Sequence, residues 1–365
     1  MVQFNINWDS NTTKQHLVPN TYLKAWSNDQ DHVYYIDKNE KIIDFTSTDI
    51  IKRTKKLTVI QEFYSRNILS HFTEQNDLIK IFAPLNTYTV YIKGKEIRDL
   101  NSLKNSFIDF NKWIIKDSLC NTVSSELKEE LKNKIKSIQV RDIEEAWNRM
   151  FENTWPITRM EIINTVNSSN GKQLIDSIKR KELIKFMVAI HWRTYPPNEI
   201  FANLFYEVIN MFGEEFTTVL KEELDEEDKH LSVVNTFGEH LLHDLSLKYF
   251  LSYFRNSGPI YKEFESIYEG MVIELLVAEK GYEFLTSDKP VNLYKNSDNK
   301  VEYIFPICPS IACAVRKNKI HQDKTKYIVT NYSKEQVFKF NNSVRSLCYK
   351  GYILKEPDTK IYFGK

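Results

Sequence analysis

The pattern of apolar and polar positions divides the chain into β-rich ends and a helical middle. Near the start, residues 32–37 read as a strand, and residues 41–45 follow after a polar turn, which predicts a hairpin. Between about residues 101 and 257, apolar residues recur three and four positions apart with few glycines, as amphipathic helices require. Two such sets are Phe107, Phe110, Ile114 and Ile115, and Leu127, Leu131, Ile135 and Ile138.

From residue 271 the pattern changes to short apolar runs separated by turn residues. The predicted strands are residues 271–278, 282–286, 291–294, 303–305, 311–315 and 327–330, followed by a helix over 334–347 and a closing hairpin within 351–363. We therefore expect an α+β fold whose β-rich N- and C-terminal segments form a shared sheet region, with a long helical lobe inserted between them. The corresponding parts are residues 1–100, 101–268 and 269–365, and we expect the first and last to pack together.

Composition limits the classes of partner. The 365 residues carry 50 Lys plus Arg against 49 Asp plus Glu, a net charge of +1, so no overall cationic field draws the chain to a polyanion. A nucleic acid would have to be held by a local basic patch, for which residues 52–56 and 179–181 are the candidates. The alternative for both runs is ordinary solvated surface.

The sequence also predicts the cellular compartment of the protein. Its longest apolar stretches, such as residues 186–190 and 271–278, are far shorter than the roughly 20 residues that cross a bilayer. The first ten residues have no basic region followed by an apolar one, and four cysteines are too few for a disulfide framework. We expect a cytoplasmic protein without a membrane partner.

Familiar cofactor motifs, including glycine-rich phosphate loops and zincin spacing, do not occur in the sequence. His240, His243 and Asp244 form the one cluster with metal-ligand side chains, because residues three or four apart share a helix face. This cluster makes a metal-dependent phosphohydrolase the third-ranked function. The simpler interpretation is histidines at the surface and core edge of a helix.

Arg193 lies at the end of an apolar helical segment that Pro196 and Pro197 terminate. A guanidinium beside the core must find anionic or carbonyl partners. It is therefore either a clamp for a phosphate or carboxylate, or a structural arginine that caps its own helix and ties the lobes together.

Polar residues at opposite ends of the sequence complete the candidate set. His16 precedes a turn fixed by Pro19, which leads into a short helix carrying Tyr22. Ser287 and Asp288 lie where a strand breaks into a turn, a common place for site residues. The structural alternatives are a hydrogen-bonded histidine and an aspartate that accepts backbone N–H groups in a turn.

Five motifs in order carry a resemblance. They are His-x-Val-Pro-x-x-Tyr-Leu from His16, Arg193 after its helix, Thr-Ser-Asp-x-Pro-Val at 286–291, Phe-Pro-x-x-Pro at 305–309, and a late Asn331 before a helix. Over nearly the whole chain, this series resembles the bacterial family known as domain of unknown function 4238. Lys289 departs from the small polar residue expected beside the aspartate. Some family members are associated with anti-phage defence, which implies an effector that damages a cellular polymer.

We therefore expect a defence effector, a nuclease or related hydrolase acting on RNA or DNA. His16 would exchange a proton, Arg193 would stabilise phosphoryl charge, and Asp288 would orient the histidine or hold a divalent ion, the candidate cofactor. The expected substrate-binding residues are Tyr22, Ser287, Lys289 and Asn331. The alternative is a non-catalytic sensing or binding module. Candidate partners are nucleic acid, a second copy of the chain, and a protein of a defence system.

Overall fold

A computed structural model describes residues 14–40, 50–194, 214–225, 229, 231, 234–295, 301–317 and 323–364. The predicted strand at 41–45 and the helix-ending Pro196 and Pro197 lie outside these residues. The chain has the predicted α+β class, with helices and several separate sheets. Among the described residues, no helix combines the length and apolar content that a bilayer crossing needs.

The helices are α1 (Asn20–Leu23), α2 (Gln75–Ile81), α3 (Leu100–Asn105), α4 (Ser125–Ser137), α5 (Asp142–Trp147), α6 (Trp155–Asn167), α7 (Arg180–Arg193), α8 (Glu214–Leu220), α9 (Phe237–Phe254), α10 (Gly258–Gly270), α11 (Lys334–Leu347) and α12 (Thr359–Phe363). The strands are β1 (Lys14–His16), β2 (His32–Asp37), β3 (Ile51–Arg53), β4 (Val59–Gln61), β5 (Thr89–Ile92), β6 (Lys95–Ile97), β7 (Ile114–Lys116), β8 (Leu174–Asp176), β9 (Met271–Ala278), β10 (Thr286–Ser287), β11 (Asn292–Lys295), β12 (Val301–Cys308), β13 (Ile311–Lys317), β14 (Lys326–Tyr332) and β15 (Gly351–Leu354). Three 3-10 segments, Thr54–Lys56, Ala83–Leu85 and Phe107–Lys112, and one π-helical segment, Asn148–Glu152, complete the regular structure of the described residues.

The chain folds into two compact units, each assembled from separate segments. The first unit comprises Gln61–Glu145 and the described part of Asn203–Lys248. The second comprises Lys14–Ile60 together with the described parts of Ala146–Ala202 and Tyr249–Lys365. These units are discontinuous along the chain, whereas the three predicted parts are continuous.

The second unit contains the predicted shared sheet. Its four strands run in the order β10, β15, β2, β3, and β15 is antiparallel to both of its neighbours. Gly351 lies opposite Asp37 and Leu354 opposite Tyr34, so strands from the two ends of the chain pair directly. A six-stranded sheet of this unit has the order β11, β12, β13, β9, β14, β8, and within it only β9 and β14 run parallel. Strands β1 and β4 form a separate two-stranded sheet.

The C-terminal elements follow the sequence pattern closely but not completely. Helix α11 has the predicted bounds and begins with a capping box between Ser333 and Gln336, which satisfies backbone N–H groups of the first turn. The predicted strand over 282–286 is wrong except for its last residue, Thr286, in β10. The predicted closing hairpin is also wrong, because β15 is followed by α12, whose N-terminus is capped by the Asp358 side chain.

The first unit contains a three-stranded sheet, in the order β6, β5, β7, beside short helices. Phe82, Phe110, Trp113 and Ile115 are central members of its core. Phe107 to Ile115 was predicted to be one helix, and this was wrong: a 3-10 segment ends at Lys112, and Trp113 is extended before β7. Apolar side chains at this spacing can be buried by two short elements as well as by one helix.

Candidate functional site

His16 ends β1, at a point where the chain is hydrogen-bonded to the segment that follows β3. The Leu17 N–H donates to the Thr58 carbonyl over 2.9 Å, and the His16 Nε2 atom lies 3.2 Å from the Lys55 carbonyl oxygen. A carbonyl oxygen only accepts hydrogen bonds, so Nε2 must carry the proton. In the neutral ring, Nδ1 then holds the basic lone pair.

The surroundings of His16 keep its ring neutral. Burial lowers the pKa of His16 below its ordinary value of 6.5; Glu152 opposes this change and Arg193 adds to it. The imidazole is therefore in its proton-accepting form at pH 7. The structure thus brings His16 into electrostatic range of Arg193, although the two residues lie far apart in the sequence.

Arg193 is buried at the end of α7 and forms an ion pair with Glu152. The Arg193 Nη1 atom donates to the Glu152 Oε1 atom over 2.6 Å, and the guanidinium lies 5.0 Å from the centre of the Trp147 ring. With its side chain only 1% exposed, Arg193 is shielded from any substrate in solution. Its ion-pair partner, Glu152, was missed in the sequence. The sequence indicated only that Arg193, beside the core, needs an anionic partner.

A basic surface segment borders His16. Strand β3 and the following 3-10 turn expose Lys52, Arg53, Lys55 and Lys56, while Thr54 is buried between them. Because the carbonyl of Lys55 holds the His16 ring, these cations lie in the chain segment that contacts the imidazole. Residues 52–56 are therefore a candidate phosphate-binding surface next to a candidate base.

Tyr22 lies in the core. Its hydroxyl is 2.7 Å from the Thr286 Oγ1 atom and donates to the Pro306 carbonyl over 2.8 Å, and its ring stacks on Phe305 with centroids 5.4 Å apart. The Trp26 indole N–H donates to the Phe284 carbonyl over 2.9 Å. The contacts of Tyr22 with Thr286, Phe305 and Pro306 thus attach α1 to the C-terminal strands, and all four residues belong to the sequence motifs. These contacts favour a structural role for Tyr22.

Asp288 lies in a different set of contacts from His16. Its carboxylate accepts backbone N–H groups of Tyr349, Lys350 and Gly351 over 2.9, 2.6 and 3.0 Å. Burial raises the pKa of Asp288, and these three hydrogen bonds oppose the increase. The arrangement fits the turn-forming alternative, in which the carboxylate fixes the backbone ahead of β15.

Ser287 and Lys289 are hydrogen-bonded to each other in the turn that holds Asp288, and Asn331 lies in β14. The Ser287 hydroxyl donates to the Lys289 carbonyl over 2.8 Å and accepts the Lys289 N–H over 3.1 Å. Asn331, in β14, is exposed and lines an open cavity of about 610 Å³ together with the loop between α6 and β8. The roles of Ser287, Lys289 and Asn331 in binding a substrate stay predictions.

The first unit holds a group of metal-ligand side chains. His71, His240 and Asp244 each offer one ligand atom, and these atoms lie within 4.8 Å of one another. His243, in contrast, turns toward the Phe63 carbonyl, 2.7 Å from its Nε2 atom. Burial lowers the pKa of His240 to about 3 and that of His243 to about 4, and it raises the pKa of Asp244 to about 7. His71, on a loop with no local motif, was missed in the sequence.

The comparisons with known proteins give a family and no activity. The family model for proteins of unknown function known as DUF4238 matches residues 14–359, nearly the whole chain, so the chain belongs to this family. No curated protein and no solved structure matches it.

Proposed function

We propose that this member of the DUF4238 family is a phosphodiester hydrolase of the nuclease class, with His16 as its general base. One observation carries the proposal: a neutral imidazole is held by the carbonyl of Lys55, inside an exposed basic segment. A general base and a phosphate-binding surface are two requirements of phosphodiester cleavage, and here both come from one stretch of structure.

In the proposed reaction, exposed cations of residues 52–56 bind the phosphates of a nucleic acid and offset their charge. The Nδ1 atom of His16 accepts a proton from the attacking oxygen, a water or a ribose 2′-hydroxyl, as that oxygen bonds to phosphorus. The bond from phosphorus to the leaving oxygen breaks, and that oxygen takes a proton from water. Glu152, fixed by Arg193, stabilises the imidazolium that forms. Arg193 is thus a positioning residue.

The first test is cleavage of single-stranded RNA, single-stranded DNA and duplex DNA by the purified chain. We expect His16→Ala to lower the cleavage rate by about 100-fold or more, the usual contribution of a general base. The matched control is His32→Ala, because His32 also contacts the basic segment, 3.4 Å from the Arg53 Nε atom. Equal rates for wild type and a folded His16→Ala protein would contradict the proposal.

The pH profile gives an independent check on the base. The pKa of His16 is lowered from 6.5, so the neutral, active form persists at and above that pH. We expect the cleavage rate to decline on the acid side as the ring becomes protonated, with the midpoint of that decline below pH 6.5. A decline that His16→Ala leaves in place would assign it to another group.

The basic segment has its own test. In the triple variant Lys52→Ala, Lys55→Ala, Lys56→Ala, we expect weaker binding of single-stranded nucleic acid and a shallower salt dependence, by about 0.7 in the log–log slope per lost phosphate contact. Lys95→Ala with Lys339→Ala removes exposed lysines elsewhere and serves as the control. Unchanged slopes in the triple variant would exclude residues 52–56 as the binding surface.

A non-catalytic binding module is the second candidate, and the burial of Arg193 and the structural contacts of Asp288 favour it. It predicts that the basic segment binds nucleic acid without cleavage.

For the nuclease, we also propose a role in anti-phage defence, consistent with the resemblance described above. Expression of the wild-type chain should then slow bacterial growth, while His16→Ala expressed at the same level should not.

A further inference from the structure

A loop and a helix of the first unit bring three side chains with metal-binding chemistry together. His71 lies on the loop before α2, and His240 and Asp244 lie one turn apart on α9. The Nε2 atom of His240 is 3.5 Å from the Asp244 Oδ2 atom. Ligand atoms around a tetrahedral zinc ion are about 3.4 Å apart, given metal–ligand distances near 2.05 Å, so this pair already has the required spacing.

The loop carrying His71 is fixed from several sides. The His71 backbone N–H donates to the Asp244 carboxylate. Lys104 donates through Nζ to the Ser70 carbonyl and, over 2.6 Å, to the Thr73 hydroxyl. The His71 ring packs edge-on against Phe237, with centroids 5.3 Å apart, and lies 4.7 Å from the His240 ring. The backbone therefore holds His71 beside the other two residues before any ion arrives.

The chemistry of the three groups selects the ion. Two imidazoles and one carboxylate favour zinc-like divalent ions over Mg²⁺ and Ca²⁺, which prefer sets made of oxygen ligands. His71 is exposed, whereas His240 and Asp244 are buried, so one side of the group faces solvent. Three protein ligands with an open fourth position are typical of zinc sites that keep a bound water.

We infer that His71, His240 and Asp244 form a Zn²⁺ site in the first unit, with water as the fourth ligand. Closing the group around the ion requires a shift of the exposed His71 ring by about an ångström, from the 4.8 Å limit toward tetrahedral spacing. The charge of Lys104 opposes the ion, while its hydrogen bonds maintain the loop. This site is independent of the proposed reaction at His16, whose residues belong to the second unit.

The test is Zn²⁺ binding by the untagged full chain after removal of metal with a chelator, measured by calorimetry and by metal analysis after dialysis. We expect one Zn²⁺ per chain and no competition from millimolar Mg²⁺. His71→Ala is the decisive variant, because it deletes the ligand and keeps the backbone N–H that bonds to Asp244. Binding should weaken by at least about 10-fold, the lower end of what loss of a supporting residue alone costs a metal site.

Asp244→Asn supplies a second variant that retains the shape of the side chain and should also weaken binding. His32→Ala, in the second unit, should bind Zn²⁺ like the wild type. Failure of the wild type to bind Zn²⁺ at 1:1 stoichiometry, or equal affinity in a folded His71→Ala protein, would overturn the assignment. Cleavage at His16 would be unaffected by either result, so the two proposals can fail separately.

Discussion

At the scale of single residues, the structure separates groups that the sequence presents alike. Asp288 and His16 are both polar residues beside a turn, and both belong to the series of sequence motifs described above. The carboxylate of Asp288 is occupied by three backbone N–H groups, whereas His16 has one carbonyl contact and a neutral ring beside exposed cations. A structural carboxylate is therefore distinguished from a candidate base by the number of backbone donors around it. No sequence pattern shows this number.

The anchoring role of Asp288 leads to a stability prediction. Asp288→Ala leaves three N–H groups of residues 349–351 without their acceptor, and we expect the free energy of unfolding to fall by about 3 kcal/mol. Asp288→Asn keeps one acceptor oxygen and should lose less. Urea denaturation measures both values. The proposed cleavage activity of the folded protein should not change; a large loss of that activity at wild-type stability would instead restore Asp288 to the catalytic set.

The sequence singles out residues that lie in motifs, and it gives no sign of residues whose proximity depends on folding. His16 and Arg193 were expected in one site, and the structure places them within electrostatic range. Glu152 and His71 were missed because each is brought to its partners by long-range contacts: Glu152 by a π-helical segment and His71 by a loop against α9. A carboxylate or imidazole without periodicity gives no local signal of such a contact.

At the scale of elements, one glycine limits how two strands of the shared sheet approach each other. A Cβ atom placed on Gly351 would lie 2.5 Å from the Tyr35 Cζ atom and 2.6 Å from the Ile36 carbonyl oxygen. Both atoms belong to β2, the strand that pairs with β15. A side chain at this position would therefore collide with the backbone of the neighbouring strand, which cannot rotate away as a side chain can.

We expect Gly351→Ala to destabilise the protein by about 1–3 kcal/mol, the usual cost of overpacking a buried site. Gly270→Ala is the matched control, because a Cβ atom there meets no atom within 4 Å and the residue ends helix α10. Thermal unfolding of the two variants beside the wild type gives the comparison. If both variants melt at the same temperature as the wild type, the close approach of β15 to β2 is not a constraint on the fold.

Elements with a long, unbroken pattern were predicted well from sequence, and short elements were not. Strand β9 has its predicted bounds because it is a continuous run of eight mostly apolar residues, and helix α11 has its bounds because its buried residues keep helical spacing over fourteen residues. The segment from Phe107 to Ile115 was assigned to one helix because its spacing fits 3.6 residues per turn, yet Trp113 is extended and divides it. Tertiary burial of Trp113 and Ile115 in the core outweighs the local preference there.

At the scale of the whole molecule, the fold depends on pairing between distant parts of the chain. Strand β15 lies between β10 and β2, so the last elements of the chain fill a central position in the shared sheet of the second unit. Tyr352, Ile353 and Leu354 are fully buried. The same unit contains His16, and the attachment of α1 through Tyr22 joins its N-terminal segment to the C-terminal strands.

We predict that a chain ending at Cys348 loses the cooperative unfolding of the second unit. Each of the three buried side chains of β15 contributes about 1.5–3 kcal/mol, and their sum approaches the 5–15 kcal/mol that stabilises a typical domain.

A synthetic peptide of residues 349–365 should restore the transition by inserting β15 between its two neighbours, whereas the same peptide with Ile353→Asp and Leu354→Asp should not. Near-ultraviolet circular dichroism during thermal unfolding follows the outcome, and a truncated chain that melts like the full one would show that the sheet does not need its central strand. The proposed cleavage activity should follow the same order, because the β1 segment that holds His16 belongs to the unit that β15 completes.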